Sequence, residues 1–107
     1  MKIEPQAGEV YVVDLGYAAK PRMILIVSEG AGSAPLAVVT GLSLTRQHHG
    51  TALEVALPKL PWMADQSYVN AQSLSGYKLV ELGRFCGRLN EASLAPVRAA
   101  LKLWLGC

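Results

Sequence analysis

Short apolar runs separated by Gly, Pro, Asn and Ser make up most of the chain. Residues 10–15 are dominated by β-branched and aromatic side chains, which are typical of a strand. Residues 22–28 are apolar on both alternating faces, which predicts a central strand covered on both sides. Further strands are predicted over residues 36–44, 53–57, 67–72, 77–80 and 85–89. The pattern therefore predicts five to seven short strands.

Helical periodicity occurs only near the C-terminus. Four apolar residues fall on one side of a 3.6-residue helix: Leu94, Val97, Leu101 and Leu105. Asn90 or Ser93 can cap this helix, and Pro96 favours Ser93, because a proline in the first turn costs no hydrogen bond. Several strands and one terminal helix predict a mainly β fold, either a small β-barrel or a strongly bent sheet with the helix packed on it.

The composition limits the possible classes of protein. The 107 residues fit one domain, residues 1–107, and with 51% hydrophobic and 17% charged residues the chain is too apolar for a disordered protein. No apolar run approaches the roughly 20 residues of a membrane-spanning helix, and no export signal follows the N-terminal lysine. A net charge of +2 does not by itself indicate a nucleic-acid partner. We expect a cytoplasmic protein that does not enter the membrane.

The usual signatures of metal and nucleotide sites are missing from the sequence. Cys86 and Cys107 are far apart, and the adjacent His48 and His49 side chains tend to diverge, so we expect no metal site. Cys86 lies in an apolar run, where a buried thiol is more common than a nucleophile. Neither GxGxxG nor a P-loop lysine is present, so nucleotide hydrolysis has no support and no cofactor is expected.

Cationic, hydroxyl and amide side chains lie at the predicted strand ends. They are Lys20, Arg22, Thr40, Ser43, Thr45, Asn70, Gln72 and Ser73. A guanidinium can hold two phosphate oxygens and oppose charge that develops in a transition state, while hydroxyl and amide groups supply directed hydrogen bonds. Such groups suit phosphate chemistry without a metal. The alternative is that they are solvated strand ends and turn residues.

Two parts of the sequence resemble one known family. Residues 8–15 (GEVYVVDL) and 20–28 (KPRMILIVS) resemble the opening of the MazF/PemK (Kid) toxins, and residues 82–90 with the terminal helix resemble their ending. The resemblance implies an SH3-like β-barrel, a homodimer, and the toxin of a type II toxin-antitoxin pair. Most members are metal-independent, sequence-specific endoribonucleases. In their mechanism the 2′-hydroxyl attacks the adjacent phosphate and leaves a 2′,3′-cyclic phosphate and a 5′-hydroxyl.

The resemblance also implies roles for individual residues. Arg22 matches the arginine that acts on the scissile phosphate, and Ser43 matches the catalytic threonine, whose hydroxyl would bind the transition state. Gln72 matches a glutamine on the RNA-binding face. Other candidates for contact with single-stranded RNA follow from position alone: Lys20, Tyr17, Thr40, Thr45, His48, Ser73 and Tyr77. The cognate antitoxin is the expected protein partner.

Three departures from the family pattern bear on catalysis more than on the fold. They are Met23, where the family usually has proline, Leu74, where many members have arginine, and a short loop over residues 16–21. The alternative function is a CcdB-like gyrase inhibitor or a catalytically silent binding member of the same fold.

The apolar side chains bear on the oligomeric state. Trp62, Met63 and Trp104 would favour a dimer if they were exposed together. Equally, all three could be ordinary core residues.

Overall fold

Seven strands and one long helix form the part of the protein that the computed structural model describes, residues 4–14, 20–30 and 35–107. The strands are β1 Glu9–Val13, β2 Arg22–Ile26, β3 Val38–Thr45, β4 Glu54–Ala56, β5 Tyr68–Asn70, β6 Ser75–Lys78 and β7 Leu82–Arg88. Short 3₁₀ helices cover Ala71–Ser73 and Leu79–Glu81, and the helix α1 spans Glu91–Leu105. The predicted mainly β fold with a C-terminal helix is confirmed. The strands predicted over 67–72 and 77–80 are too long, because each runs into a 3₁₀ helix.

The strands pair antiparallel in one bent sheet. Their order is β4-β5-β3-β2-β1-β7, and β6 pairs with β3 beside that path. β3 therefore contacts three strands: β2 on one edge, and β5 and β6 on the other. In the described ranges β4 and β7 end the path without pairing with each other. Of the two predicted alternatives the bent sheet fits, and the word barrel describes it only loosely.

The two faces of the sheet carry separate apolar clusters. Register pairs Leu25 with Leu42, and both lie in the larger cluster together with Leu94 and Val97 of α1. The opposite face carries a smaller cluster of buried residues, made by Tyr11, Val13, Ile24, Ile26, Val39 and Leu82. Alternation along β2 and β3 thus divides core residues between the helix side and the far side of the sheet.

Close packing of β2 on β3 requires a glycine. A Cβ added at Gly41 would lie 2.5 Å from Cγ2 of Ile24 and 2.8 Å from the carbonyl oxygen of Leu25. Gly76, which pairs with Thr40 on the other edge of β3, has no atom within 4 Å of its added Cβ. The missing side chain of Gly41 therefore sets the spacing of the two central strands.

The N-terminus of α1 differs from the prediction. Asn90, not Ser93, is the N-cap, and its Oδ1 accepts a hydrogen bond from the backbone N–H of Ser93 at 2.9 Å. Pro96 consequently lies inside the helix on an exposed position. The earlier start brings Leu94, which is 1% exposed, into the helix and against the core. The free energy gained by burying Leu94 offsets the loss of the one helical hydrogen bond that Pro96 cannot donate.

The three large side chains considered for a dimer surface lie in different environments. Met63 is buried in the larger cluster, within a turn closed by its N–H to the Leu60 carbonyl. Trp62 is half-buried beside Gly87, and Trp104 is 47% exposed on α1. They do not form one exposed patch. The described part of the chain contains no helix that is both long and apolar enough to cross a membrane.

Candidate functional site

An open cleft of about 590 Å³ lies where β2 begins and β3 ends. Its apolar lining includes Val12, Met23 and Leu44. Its polar lining consists of Arg22, Thr45, Arg46, Asp65, Ser67 and Arg84. Three guanidinium groups therefore line the cleft against one carboxylate, which favours an anionic ligand.

Arg22 and a threonine of β3 line the same cleft. The pairing of β2 with β3 ends at Ile24 and Ser43, and beyond this pair Arg22 at the start of β2 and Thr45 at the end of β3 both line the cleft. Arg22 is exposed, Thr45 is half-buried, and both line the cleft. Ser43 lies on the same face two residues further into β3, half-buried beside Ile24, and does not line the cleft. Of these two hydroxyl residues, Thr45 is therefore the one that shares the cleft lining with Arg22.

An aromatic stack extends this face. Thr45 pairs with Tyr68 of β5, and the ring of His48 stacks on the Tyr68 ring with centroids 4.5 Å apart and an interplanar angle of 5°. His48 is exposed and Tyr68 half-buried. A flat, exposed ring beside a cationic cleft is suited to stacking with an unpaired base.

The Glu54 carboxylate holds the loop that carries His48. It accepts hydrogen bonds from the backbone N–H of His49 at 2.7 Å and of Thr51 at 2.9 Å, and from the Thr51 hydroxyl at 2.8 Å. These hydrogen bonds, first of all that of the Thr51 backbone, lower the pKa of Glu54 to about 2. The loop is therefore fixed by an ionised carboxylate across the neutral pH range.

A second carboxylate faces the cleft itself. Asp65 Oδ2 lies 3.1 Å from Nη1 of Arg46, and the two side chains are 59% and 78% exposed. Arg46 directly follows Thr45 at the end of β3, whereas Asp65 comes from the connection between β4 and β5. This ion pair joins two segments of the chain that both line the cleft.

Arg84 enters the cleft from an irregularity in β7. Tyr11 pairs with Phe85 and Val13 with Leu82, so β7 has one residue more than β1 in this stretch, which is a β-bulge. Gly83 permits the close approach, because a Cβ there would lie 2.9 Å from the Val12 carbonyl oxygen. Arg84 lies within this bulge and lines the cleft together with Arg22 at the start of β2.

The other predicted RNA contacts are distributed more widely. Lys20 is exposed next to the cleft residue Pro21. Thr40 lies on the opposite face of β3 from Ser43, and its backbone N–H donates to Ser28 Oγ. Gln72 and Ser73 lie in the 3₁₀ helix after β5, away from the cleft lining. The Ser73 hydroxyl there donates to the carbonyl of Asn70.

Two predicted aromatic contacts have different outcomes. Tyr77 packs against the smaller apolar cluster. Tyr17 lies outside the described residues.

Residues 6–105 of the chain match a protein-family model, that of the PemK-like, MazF-like toxin of type II toxin-antitoxin systems. The chain belongs to this toxin family. It is 36% identical over 103 residues to endoribonuclease MazF4 of Mycobacterium tuberculosis, a match that covers 95% of this chain and 93% of that protein. Endoribonuclease MazF1 of Mycobacterium bovis matches equally well.

Solved structures agree with the family assignment. An endoribonuclease in complex with its cognate antitoxin from a mycobacterial species has a TM-score of 0.81 and 31% identity, and the match covers 95% of each chain. MazF of Deinococcus radiodurans, at 20% identity, has a TM-score of 0.79 over 99% of this chain and 100% of that one, which shows the common fold. The resemblance to the MazF/PemK toxins is confirmed.

In this MazF-like chain, four polar residues of the cleft were not among the site residues predicted from sequence: Arg46, Asp65, Ser67 and Arg84. Only Arg84 has a local signal, since the preceding Gly83 fits a bulge that redirects the next side chain. Arg46 and Asp65 are 19 residues apart, and nothing in their local sequence indicates that they meet. Their meeting depends on how the β4–β5 connection folds back over the end of β3.

Proposed function

We propose that this chain is the toxin of a type II toxin-antitoxin pair and cleaves single-stranded RNA as a metal-independent endoribonuclease. The observation that supports it most is the cleft that combines Arg22, the Thr45 hydroxyl and two further arginines. The proposal also agrees with the names of the mycobacterial relatives, which are endoribonucleases. Guanidinium and hydroxyl groups can stabilise a phosphorane-like transition state through charge and directed hydrogen bonds.

The reaction proposed is an internal transesterification. The ribose 2′-hydroxyl loses its proton to water as its oxygen forms a bond to phosphorus, the bond from phosphorus to the 5′-oxygen breaks, and the leaving oxygen takes up a proton, so that no net proton is consumed. Arg22 opposes the negative charge that grows on the non-bridging oxygens and takes part in proton transfer. A hydroxyl of β3 donates a hydrogen bond to the same oxygens. Ser43 has this role by family resemblance, and Thr45 is the residue that lines the cleft beside Arg22.

The stacked rings of His48 and Tyr68 provide a place for a base next to the scissile phosphate. Tyr68 pairs with Thr45, so the stack begins one strand away from the cleft hydroxyl. Base stacking on an aromatic residue contributes about 1–3 kcal/mol per base. We therefore expect His48→Ala to weaken RNA binding without removing the chemical step.

The direct test is incubation of the purified protein with a long single-stranded RNA in EDTA, with Arg22→Ala as the matched variant. We expect discrete cuts with 2′,3′-cyclic phosphate and 5′-hydroxyl ends in the wild-type reaction. Arg22→Ala should lower the rate by orders of magnitude while thermal unfolding stays unchanged, because Arg22 is exposed. Intact RNA from a folded wild-type protein would contradict the proposal and favour a gyrase inhibitor or a silent member.

The same assay assigns the hydroxyl. Ser43→Ala and Thr45→Ala remove one hydroxyl each from the same face of β3. If the Ser43 variant loses activity and the Thr45 variant keeps it, the family correspondence holds. The opposite result assigns the transition-state contact to Thr45, in agreement with the cleft geometry.

The proposal includes a cognate antitoxin, a homodimeric toxin and a cytoplasmic location. A mycobacterial structural relative was solved with its antitoxin, and D. radiodurans MazF was solved with MazE. The surface of this chain exposes large apolar side chains: Leu36, Val80, Phe85, Leu103, Trp104 and Leu105. Such side chains are suited to burial in protein interfaces. A monomeric mass by light scattering at micromolar concentration would contradict the dimer.

A further inference from the structure

The ion pair between Arg46 and Asp65 occupies a position that an RNA phosphate would need. Both residues line the cleft with Arg22 and Arg84, and the Arg46 to Asp65 distance of 3.1 Å places a carboxylate on one of the three cleft guanidinium groups. Building on the proposed ribonuclease function, we propose that Asp65 acts as a built-in competitor for substrate phosphate, and that Arg46 exchanges this carboxylate for a phosphate flanking the scissile one.

The geometry allows such an exchange. Both side chains are more than half exposed, so the ion pair is solvated and can open without leaving a buried charge. Arg46 directly follows Thr45 in the chain, and both residues line the cleft together with Arg22. A phosphate next to the one held by Arg22 therefore falls within reach of the Arg46 side chain once Asp65 releases it.

The charges facing Arg46 determine the direction of the effect. Arg22 and Arg84 line the same cleft, and Asp65 is the carboxylate among its lining residues. Removing the negative charge of Asp65 should strengthen the attraction for a polyanion and free one guanidinium. Removing Arg46 should take away one phosphate contact while leaving base recognition unchanged, because phosphate contacts carry no sequence information.

The chain contains a matched control for this ion pair. Glu91 and Arg98 form another exposed pair on α1, outside the cleft lining, with the carboxylate oxygen 2.5 Å from Nη1. Glu91→Gln and Asp65→Asn change the net charge by the same amount, and each breaks an exposed arginine–carboxylate pair. A difference between them therefore reports on the position of the charge and not on its amount.

The experiment measures binding of a short, randomised-sequence 2′-O-methyl RNA with a fluorescent label, which cannot be cleaved because it has no free 2′-hydroxyl. Fluorescence anisotropy is recorded over a series of salt concentrations. We expect Asp65→Asn to tighten binding about three- to fivefold, which is the upper part of the range for an exposed ion pair. Glu91→Gln should leave binding unchanged, and Arg46→Ala should weaken it and reduce the log–log salt slope by about one.

The double variant separates competition from simple repulsion. If Asp65 acts by occupying Arg46, Asp65→Asn should tighten binding much less in the Arg46→Ala background. Equal tightening in both backgrounds would refute competition for Arg46. It would mean that Asp65 acts only by electrostatic repulsion of the RNA phosphates. Binding by Asp65→Asn that equals wild type would also overturn it, even if RNA cleavage is normal. A folded wild-type protein that neither binds this RNA nor cleaves RNA would refute the proposed function as well.

Discussion

Substitution of Gly41 by alanine tests whether the spacing of β2 and β3 determines both stability and the site. The added methyl group would lie 2.5 Å from Cγ2 of Ile24, whereas carbon atoms in contact are about 3.5–4.0 Å apart. The overlap is about 1 Å. On the same side, the Leu25 carbonyl oxygen at 2.8 Å belongs to the backbone and cannot rotate away. The two strands must therefore separate locally.

The size of the effect follows from this overlap. Overpacking of a tight interior costs about 1–3 kcal/mol, and we expect the upper part of this range because the obstacle includes backbone. For a chain of this length each kcal/mol lowers Tm by about 4–8 °C, so a loss of about 2–3 kcal/mol in Gly41→Ala should lower Tm by roughly 8–24 °C. The strand that moves also carries Ser43 and Thr45, so the cleavage rate per folded molecule should fall as well.

Gly76→Ala is the matched control for this prediction. Gly76 also lies in a strand paired with β3, but its added Cβ contacts nothing within 4 Å. We expect its free energy of unfolding to stay within about 0.5 kcal/mol of wild type. Urea unfolding and RNA cleavage in EDTA measure the two effects. If the Gly41 and Gly76 variants are equally stable, the steric argument is refuted.

Three further predictions concern the helix and the loop. Asn90→Ala should lower the free energy of unfolding in urea by about 1 kcal/mol, because the N-cap hydrogen bond is lost. Ser93→Ala is the control and should have little effect. Equal losses in the two variants would argue against Asn90 as the cap. Pro96→Ala should stabilise the protein by up to about 3 kcal/mol, since an N–H returns inside α1; a lower Tm would contradict this. The pKa of Glu54 is lowered to about 2 in the folded protein, so the stabilisation is complete above its ordinary pKa of 4.5 and is lost as the pH falls towards 2. Thermal unfolding of wild type and Glu54→Gln should therefore converge at low pH, and a constant difference would refute the role of the carboxylate.

The helix shows how far the sequence alone could predict the fold. The periodic spacing of Leu94, Val97 and Leu101 identifies α1 from the sequence. The helix ends at Leu105, and the next residue, Gly106, caps it with a φ of +75°. Asn90 and Ser93 were both predicted as possible N-caps, and the preference for Ser93 was wrong. That preference followed from the tendency of proline to lie in the first turn of a helix, which says nothing about the burial of Leu94 against the core. Strand ends were shifted for a similar reason. Residues 71–73 and 79–81 have polar and apolar side chains that fit a strand, but they turn into 3₁₀ helices between paired strands.

The site could be predicted in part. Arg22 was found because it begins an apolar strand and matches the family motif, and the structure places it in the cleft. Thr45 was found by its position near the end of the third strand. Arg84 depends on a β-bulge, and the Arg46 to Asp65 pair depends on residues 19 apart in sequence, so both need the folded chain. The roles of Arg22 and Ser43 stay predictions until the variants are measured.

The central place of β3 has a consequence for genetics. This strand joins β2, β5 and β6, and it also carries both candidate hydroxyl groups. In a selection for cells that survive expression of the toxin, escape substitutions should therefore form two groups. Those at buried positions such as Leu42 would remove the protein from the cell, and with it any capacity to sequester antitoxin. Those that remove a β3 hydroxyl needed for cleavage, at Ser43 or Thr45, would leave a folded and harmless protein that still captures antitoxin and thereby frees an active copy of the toxin.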